Sequence, residues 1–559
     1  LDGVLSGGFM QTINDLGKYT FSALLRNSVL KFSNRPALSY VSDQPISYEE
    51  LNKKVNSVKN LLHSLGIKPL DKVAIFSTSS PQWAISYFAI VTLGAIAVPL
   101  LPDFNESEAS SCLQHSGARA IFAGEKLLAK LNTTDELDII INIHDFAVKK
   151  GEIKTDSPLP EHECNEEDTA SIIYTSGTTG RSKGVVLTHK NLIFTAIGGQ
   201  HCQRINQYEA ALSILPMSHV YEFTIGFLMF MLNGACIYYL EGPPIPRNLL
   251  PALQKVRPHF MLSVPIVIEK IYKQKILPAF NASPLIKKIY GTKLGRKLLC
   301  RKAGKKLKKT FGGRLKFFGI GGSKTDPVVE QFMIDAKFPY AIGYGLTETS
   351  PLVAYSAVYK TIPGILSVVV PGVEIKIGNK DPQTGIGELL VKGPNVMQGY
   401  YNAPDLTKEA FTEDGWFKTG DLCAIDDKGR ISLKGRSKNM ILGAAGENIY
   451  PEDIEFVLNQ HPLVSEALVV EGENTSLVAY VRLQDAIGDA VSGISNAIMH
   501  KREEVLNEIR FFVNSKVNKF SKIDKIELVE EFEKTASKKI KRYLYSLRHG
   551  KPQIEEVKR

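Results

Sequence analysis

Tyr174-Thr-Ser-Gly-Thr-Thr-Gly-Arg-Ser-Lys-Gly-Val185 is the stretch from which the rest of the chain is read. Thr169-Ala-Ser-Ile-Ile-Tyr174 leads into it as a buried strand, and Val185-Val-Leu-Thr188 leaves it as a second, short one. Between them stand Thr175, Ser176, Gly177, Thr178, Thr179, Gly180 and Lys183, all small, hydroxylic or cationic. Glycine lets the backbone approach a phosphate chain closely, and successive N–H groups in such a loop cradle an anion. The hydroxyls add donors, and Lys183 adds a point charge. No Gly-Lys-Ser/Thr step follows Gly180, so this is not the P-loop arrangement. The composition fits a phosphate ligand.

At 559 residues the chain is too long for one core, and two or more domains are expected. Six cysteines without a Cys-x-x-Cys pair argue against a disulfide framework or a zinc site, and for a reducing compartment. No secretory signal pattern opens the sequence, and Met10 is a candidate native start after residues 1–9. A cytoplasmic protein is therefore expected. Two long uncharged runs, residues 77–102 and 223–240, are each broken by a glycine at Gly94 and Gly234. Split there, each reads as a buried helix followed by a buried strand, too short to span a bilayer.

The formal net charge is +10, yet it is concentrated in one segment. Residues 270–325 hold seventeen Lys or Arg and no Asp or Glu, so the remainder carries 10 − 17 = −7. Within this block Leu294, Leu298, Leu299, Ala303 and Leu307 are expected to share one helical stripe. A solvated helix accounts for the block, and so does attachment of residues 287–316 to an anionic membrane from its inner face. No recognised nucleic-acid module surrounds it, so no nucleic-acid partner is expected.

Strands alternate with helices through the first part of the chain, the pattern of parallel sheets covered on both faces. Ser47 and Glu50 form a capping pair at the start of one such helix. Further on, Leu215-Pro-Met-Ser-His219-Val-Tyr-Glu-Phe223 joins a strand to an apolar helix. Leu315-Lys-Phe-Phe-Gly-Ile-Gly321-Gly322-Ser323 runs a strand into a glycine turn, and Ile342-Gly-Tyr344-Gly345-Leu-Thr347-Glu348-Thr-Ser-Pro351 follows. Residues 387–391, Gly399-Tyr-Tyr401 and Gly415-Trp416-Phe-Lys-Thr419-Gly420-Asp421 read as a β subdomain, followed by Lys434-Gly-Arg436-Ser-Lys438. A smaller α+β region closes the sequence and ends in Glu533-Lys534-Thr-Ala-Ser-Lys538-Lys539-Ile-Lys-Arg542.

Taken in this order, the motifs resemble those of the acyl-adenylate-forming enzymes, and among them the long-chain fatty acid–CoA ligases. The resemblance implies an α/β fold with a large domain over residues 1–437 and a small mobile domain over 438–559. It implies ATP, Mg²⁺ and CoA, with a fatty acid as substrate and room for a homodimer. Gly321, Gly322, Ser323, Tyr344 and Gly345 would hold adenine; Thr347 would contact phosphate; Glu348 would hold the metal. Asp421 and Arg436 would bind ribose, Lys438 would be the hinge, and Gly446 would line the CoA path. His219 would lie near the acyl carboxylate and Phe223 at the mouth of the acyl tunnel. The family pattern Pro-Lys-Thr-x-x-Gly-Lys has Lys538 in place of its glycine here, which makes Lys539 the expected catalytic lysine. The family's Gly-Ser-x-Gly-x-Pro is replaced by Gly364-Ile-Leu-Ser-Val-Val-Val-Pro371, a change in the wall of the acyl pocket. Transfer to a carrier protein, an aryl acid substrate and a silent lipid-binding scaffold are the alternatives.

Overall fold

The computed structural model describes residues 10–131, 134–154, 162–176, 182–443, 447–472, 476–484, 496–535 and 539–546. The two strands of the phosphate stretch, Thr169–Ser176 and Ser182–Thr188, pair antiparallel with Thr175 opposite Lys183 and Ser176 opposite Ser182. They continue an eight-stranded sheet whose middle, Ile96–Leu100, Lys72–Phe76, Ala120–Ala123 and Ile139–Asn142, is parallel. Its far edge corrects the sequence reading. Gly399–Tyr400 does not join the β subdomain but pairs with Val186 and Val185 beside the phosphate stretch.

A second sheet of nine strands has a parallel centre in Ala210–Ser213, Phe260–Ser263, Phe317–Ile320 and Tyr340–Tyr344. The two uncharged runs fold as helix and strand. Pro81–Thr92 is capped by Ser80, whose hydroxyl accepts from Trp83 N, and it leads into Ile96–Leu100. It is buried on nearly every side, which is why it is apolar all round. Glu222–Leu228 is wound as a π-helix, continues as Met229–Leu232 and gives way to the strand Cys236–Tyr239. Among the described residues no helix is long and apolar enough to cross a membrane.

A four-stranded antiparallel sheet follows, of Glu374–Gly378, Gly387–Lys392, Phe417–Ile425 and Ile431–Arg436. Its last pair sets Asp421 opposite Arg436. Beyond it, Val464–Glu471, Leu477–Leu483 and Lys525–Leu528 make a three-stranded sheet packed by the helices Pro451–Leu458 and Asn496–Asn514. This part has its own core, including Ile454, Leu458, Val469, Val481, Ile509 and Val513. It touches the large sheets through polar contacts, Lys324 Nζ to Asp453 Oδ1 at 2.8 Å and Lys273 Nζ to the Asn459 carbonyl at 2.7 Å.

The expected stripe on the basic helix is split. Lys293–Thr310 buries Gly295, Cys300, Gly304 and Leu307, with Gly304 against Ala336, while Leu294 and Leu298 point to solvent. At 100° per residue Leu307 lies about 180° around the axis from Leu298, so one stripe cannot hold both.

Candidate active site

Tyr344 ends the parallel strand Tyr340–Tyr344, at the carboxyl edge where open α/β sheets bind ligands. The chain then turns sharply, and the backbone at Gly345 lies so close to the Pro351 carbonyl that a side chain has no room. Tyr344 Oη donates to Asp421 Oδ2 at 2.7 Å, and Arg436 Nε meets Asp421 Oδ1 at 2.8 Å. Asp421 is buried, and burial pushes its pKa up; Arg436, Tyr344 and Lys539 oppose that shift and favour the carboxylate. A carboxylate offers about four lone-pair positions, so two remain for a pair of ligand hydroxyls.

Glu348 lies in the single 3₁₀ turn Thr347–Thr349, with its carbonyl accepting from Met397 N at 2.9 Å. Its Oε1 accepts from Tyr400 Oη at 2.9 Å, and the Lys183 ammonium stands 5.0 Å from the centre of the same Tyr400 ring. One tyrosine therefore bridges the candidate phosphate lysine and the candidate metal carboxylate. Burial and the neighbouring Glu348 charge both raise the Tyr400 pKa, so the phenol stays protonated and donating. Sequence reasoning missed Tyr400; an edge-strand pairing far along the chain brings it here, and no local motif marks it. No cluster of three His, Cys, Asp or Glu gathers among the described residues. A divalent cation at Glu348 would thus draw most of its shell from phosphate and water, as Mg²⁺ ordinarily does.

Lys539 enters from the small domain. Thr535 N donates to the Lys539 carbonyl at 2.8 Å, Lys539 N donates to Thr535 Oγ1 at 3.2 Å, and Lys534 bridges antiparallel to Ile540. The flanks are moored by Lys534 to Glu466 at 2.7 Å and by Arg542 to Glu455 at 2.6 Å. Lys539 is exposed, yet enough protein surrounds it for the charges of the large domain to act on it. Desolvation and Arg436 lower its pKa, while Asp421 and Glu348 raise it. The same ammonium is felt at His219, whose imidazole is pushed down to about 4 by burial and then by Lys539, with Asp103 opposing. His219 is neutral at pH 7. The small domain therefore carries its lysine within electrostatic reach of His219, Glu348, Asp421 and Arg436.

Phe223, one turn beyond His219, is fully buried in an aromatic cluster, 4.3 Å from Tyr87, 5.7 Å from Trp83 and 6.1 Å from Phe21 between ring centres. Its neighbour Glu222 is buried too, with Oε1 accepting from Ser213 Oγ at 2.6 Å and Oε2 without a hydrogen-bond partner among the described residues. Burial pushes the Glu222 carboxyl up to about 8. A cavity of about 10 Å³ lies beside it, lined by Ile225, Met229, Phe230 and Leu262 among others. Gly321 packs on the Tyr221 ring, Gly322 adopts φ +92° and Ser323 is exposed. Lys438 is exposed in the turn Ser437–Asn439. Gly177, Thr178, Thr179, Gly180 and Gly446 lie outside the described residues, and Ser176 is described by its backbone alone.

With this geometry in place, comparison with known proteins is decisive. The AMP-binding enzyme family matches residues 25–401, and the AMP-binding enzyme C-terminal domain matches residues 453–539. The chain belongs to the AMP-binding enzyme family. Within that family it falls in the acyl-CoA synthetase branch, which makes it an adenylate-forming CoA ligase. Long-chain-fatty-acid–CoA ligase FadD15 of Mycobacterium bovis is 32% identical over 444 residues, covering 73% of this chain and 72% of its own. A 4-coumarate–CoA ligase of Vanilla planifolia is 26% identical over 552 residues, covering 92% and 91%. Among solved structures, anthranilate CoA ligase AuaEII with anthranoyl-AMP superposes with a TM-score of 0.76 at 20% identity, covering 95% and 98%. O-succinylbenzoate CoA synthetase of Bacillus subtilis, in complex with ATP and magnesium, gives 0.74 at 22% identity, covering 93% and 98%. Those two likenesses concern the fold, an α/β large domain with a smaller C-terminal domain.

Proposed function

We propose that this ligase activates long-chain fatty acids, and that the seat of Lys539 among Asp421, Glu348 and His219 is the arrangement for the first half-reaction. Thr175, the loop after it and Lys183 hold the ATP phosphates. Asp421, fixed by Tyr344 and Arg436, accepts from the ribose hydroxyls. Glu348, oriented by Tyr400, holds Mg²⁺; the cation, when bound, offsets charge on the departing pyrophosphate. The fatty carboxylate attacks the α-phosphorus, and the Lys539 ammonium stabilises the charge that gathers between them. His219 is neutral, so it hydrogen-bonds the carboxylate without competing with Lys539 for negative charge. Lys438 then serves as the hinge. The small domain withdraws Lys539 and presents the segment around Gly446 to CoA, whose thiol displaces AMP.

The acyl chain is read from the apolar wall behind His219. Phe223 belongs to an aromatic cluster and to the π-helix Glu222–Leu228, whose residues after Glu222 are mostly apolar, a surface suited to an alkyl chain entering as Phe223 turns aside. The name of the FadD15 relative points the same way. The test is pyrophosphate release and CoA thioester formation across saturated acids from C8 to C16, with 4-coumarate and a carrier protein as controls. kcat/KM should climb with length, with up to about 0.8 kcal/mol available per buried methylene. A flat or falling series with active 4-coumarate would make the substrate an aryl acid; transfer to carrier protein alone would remove CoA as acceptor.

A further inference from the structure

The helices Pro284–Tyr290 and Lys293–Thr310 follow one another on a surface remote in kind from the polar cleft of the active site. Together they carry eleven Lys or Arg and no carboxylate. Among the described residues only Arg296 of these eleven forms an ion pair, with Asp335 at 2.9 Å. The other ten present their charge to solvent or, for Lys308, to the Tyr359 ring, 5.8 Å from its centre. The same surface carries large apolar side chains exposed to solvent. Leu294 is 72% exposed, Leu285 68%, Leu298 57% and Ile289 40%. Leu294 and Leu298 lie one turn apart on the helix face opposite Cys300 and Leu307, which are buried.

Either feature alone would be ordinary. A cationic helix is commonly just solvated, and single exposed leucines need no explanation. Their combination is selective: protruding leucines ringed by unpaired lysines on a chain whose remainder is net acidic. We propose that this surface docks the enzyme on an anionic lipid bilayer, with Leu285, Leu294 and Leu298 entering the headgroup–acyl boundary and the lysines meeting lipid phosphates. Charge complementarity commits the occupant. A second copy of this chain would set ten unpaired cations against ten more. Nucleic acid would meet the lysines but leave the leucines in water. The inference stands on this surface alone and would hold if the acyl substrate proved not to be fatty.

The experiment is co-sedimentation of the full chain with phosphatidylcholine vesicles, with and without phosphatidylglycerol, at low and high salt. Strong binding is expected only with phosphatidylglycerol, falling as salt screens the lysines over about 10 Å. Leu294→Gln with Leu298→Gln should lower partitioning about tenfold or more at every salt concentration, since each leucine loses its place in the acyl boundary. Changing Lys305, Lys306, Lys308 and Lys309 to glutamine should abolish the preference for phosphatidylglycerol. Both variants should keep pyrophosphate release with a soluble short acid and unfold at the wild-type temperature. Unchanged vesicle binding by the leucine variant would overturn the proposal. So would binding to an RNA homopolymer but not to vesicles, or a wild-type dimer that the leucine variant loses without any vesicle binding.

Discussion

Asp421 and Lys539 carry opposite charges to the same cleft by opposite means. Asp421 is held within the large domain by register: it faces Arg436 across a β ladder, and Tyr344 reaches it from the end of another sheet. Both of these partners stand in the large domain. Lys539 stands in the small domain, where Lys534 and Arg542 on either side of it are moored to Glu466 and Glu455, and under the proposed function it reaches the cleft only while that domain is closed. A residue fixed in one sheet suits a contact needed in both half-reactions, such as ribose binding. A residue brought by a separate body suits one half-reaction and can leave for the other.

The largest expected effect lies on the side of the small domain. Lys539→Ala should lower acyl-adenylate formation by about 10²–10³, the usual cost of removing one charge-stabilising group. Pyrophosphate release in single turnover measures it, and a loss under threefold would pass the role to Lys538. The fixed side should respond more gently. Tyr400→Phe removes one hydrogen bond to a charged carboxylate, an interaction of about 1.5–3 kcal/mol. Adenylation should fall about tenfold or more, with a higher Mg²⁺ concentration needed for half-maximal rate. An unchanged Mg²⁺ dependence would show that Tyr400 does not orient Glu348.

The buried Glu222 leads to a prediction about stability. Its folded pKa, about 8, lies above the ordinary carboxylate value of 4.5. Between those pH values the unfolded chain holds fewer protons than the folded one, so this group makes stability fall as pH rises. The slope can reach about 1.4 kcal/mol per pH unit. Glu222→Gln should flatten that decline in urea unfolding followed across the interval. An unaltered slope would mean that Glu222 ionises in place.

What was legible in the sequence follows the same division. Local patterns marked the phosphate stretch, because strand, glycine loop and strand are contiguous from Thr169 to Thr188. The glycines at 94 and 234 told helix-plus-strand from a membrane span for the same reason. Asp421 and Arg436 stand on neighbouring strands, only fifteen residues apart, so their motif announced them. Tyr400 was invisible because its partner strand lies more than two hundred residues earlier, and a register across that distance leaves no spacing to read. The basic helix misled for a different reason. Its leucines look like one stripe, but the buried face is set by Gly304 against Ala336, a contact that periodicity alone does not contain.

The most direct test of the division is a ratio of half-reaction rates in Lys539→Ala. Adenylation is followed by pyrophosphate release, and thioester formation by CoA attack on synthetic acyl-AMP, with Lys438→Pro measured alongside. The proline fixes φ at the proposed hinge and should spare adenylation while blocking thioester formation. For Lys539→Ala the expected result is the reverse, adenylation lowered about 10²–10³ and thioester formation close to wild type. Equal damage to both half-reactions in Lys539→Ala would contradict it, placing Lys539 in the cleft throughout the cycle.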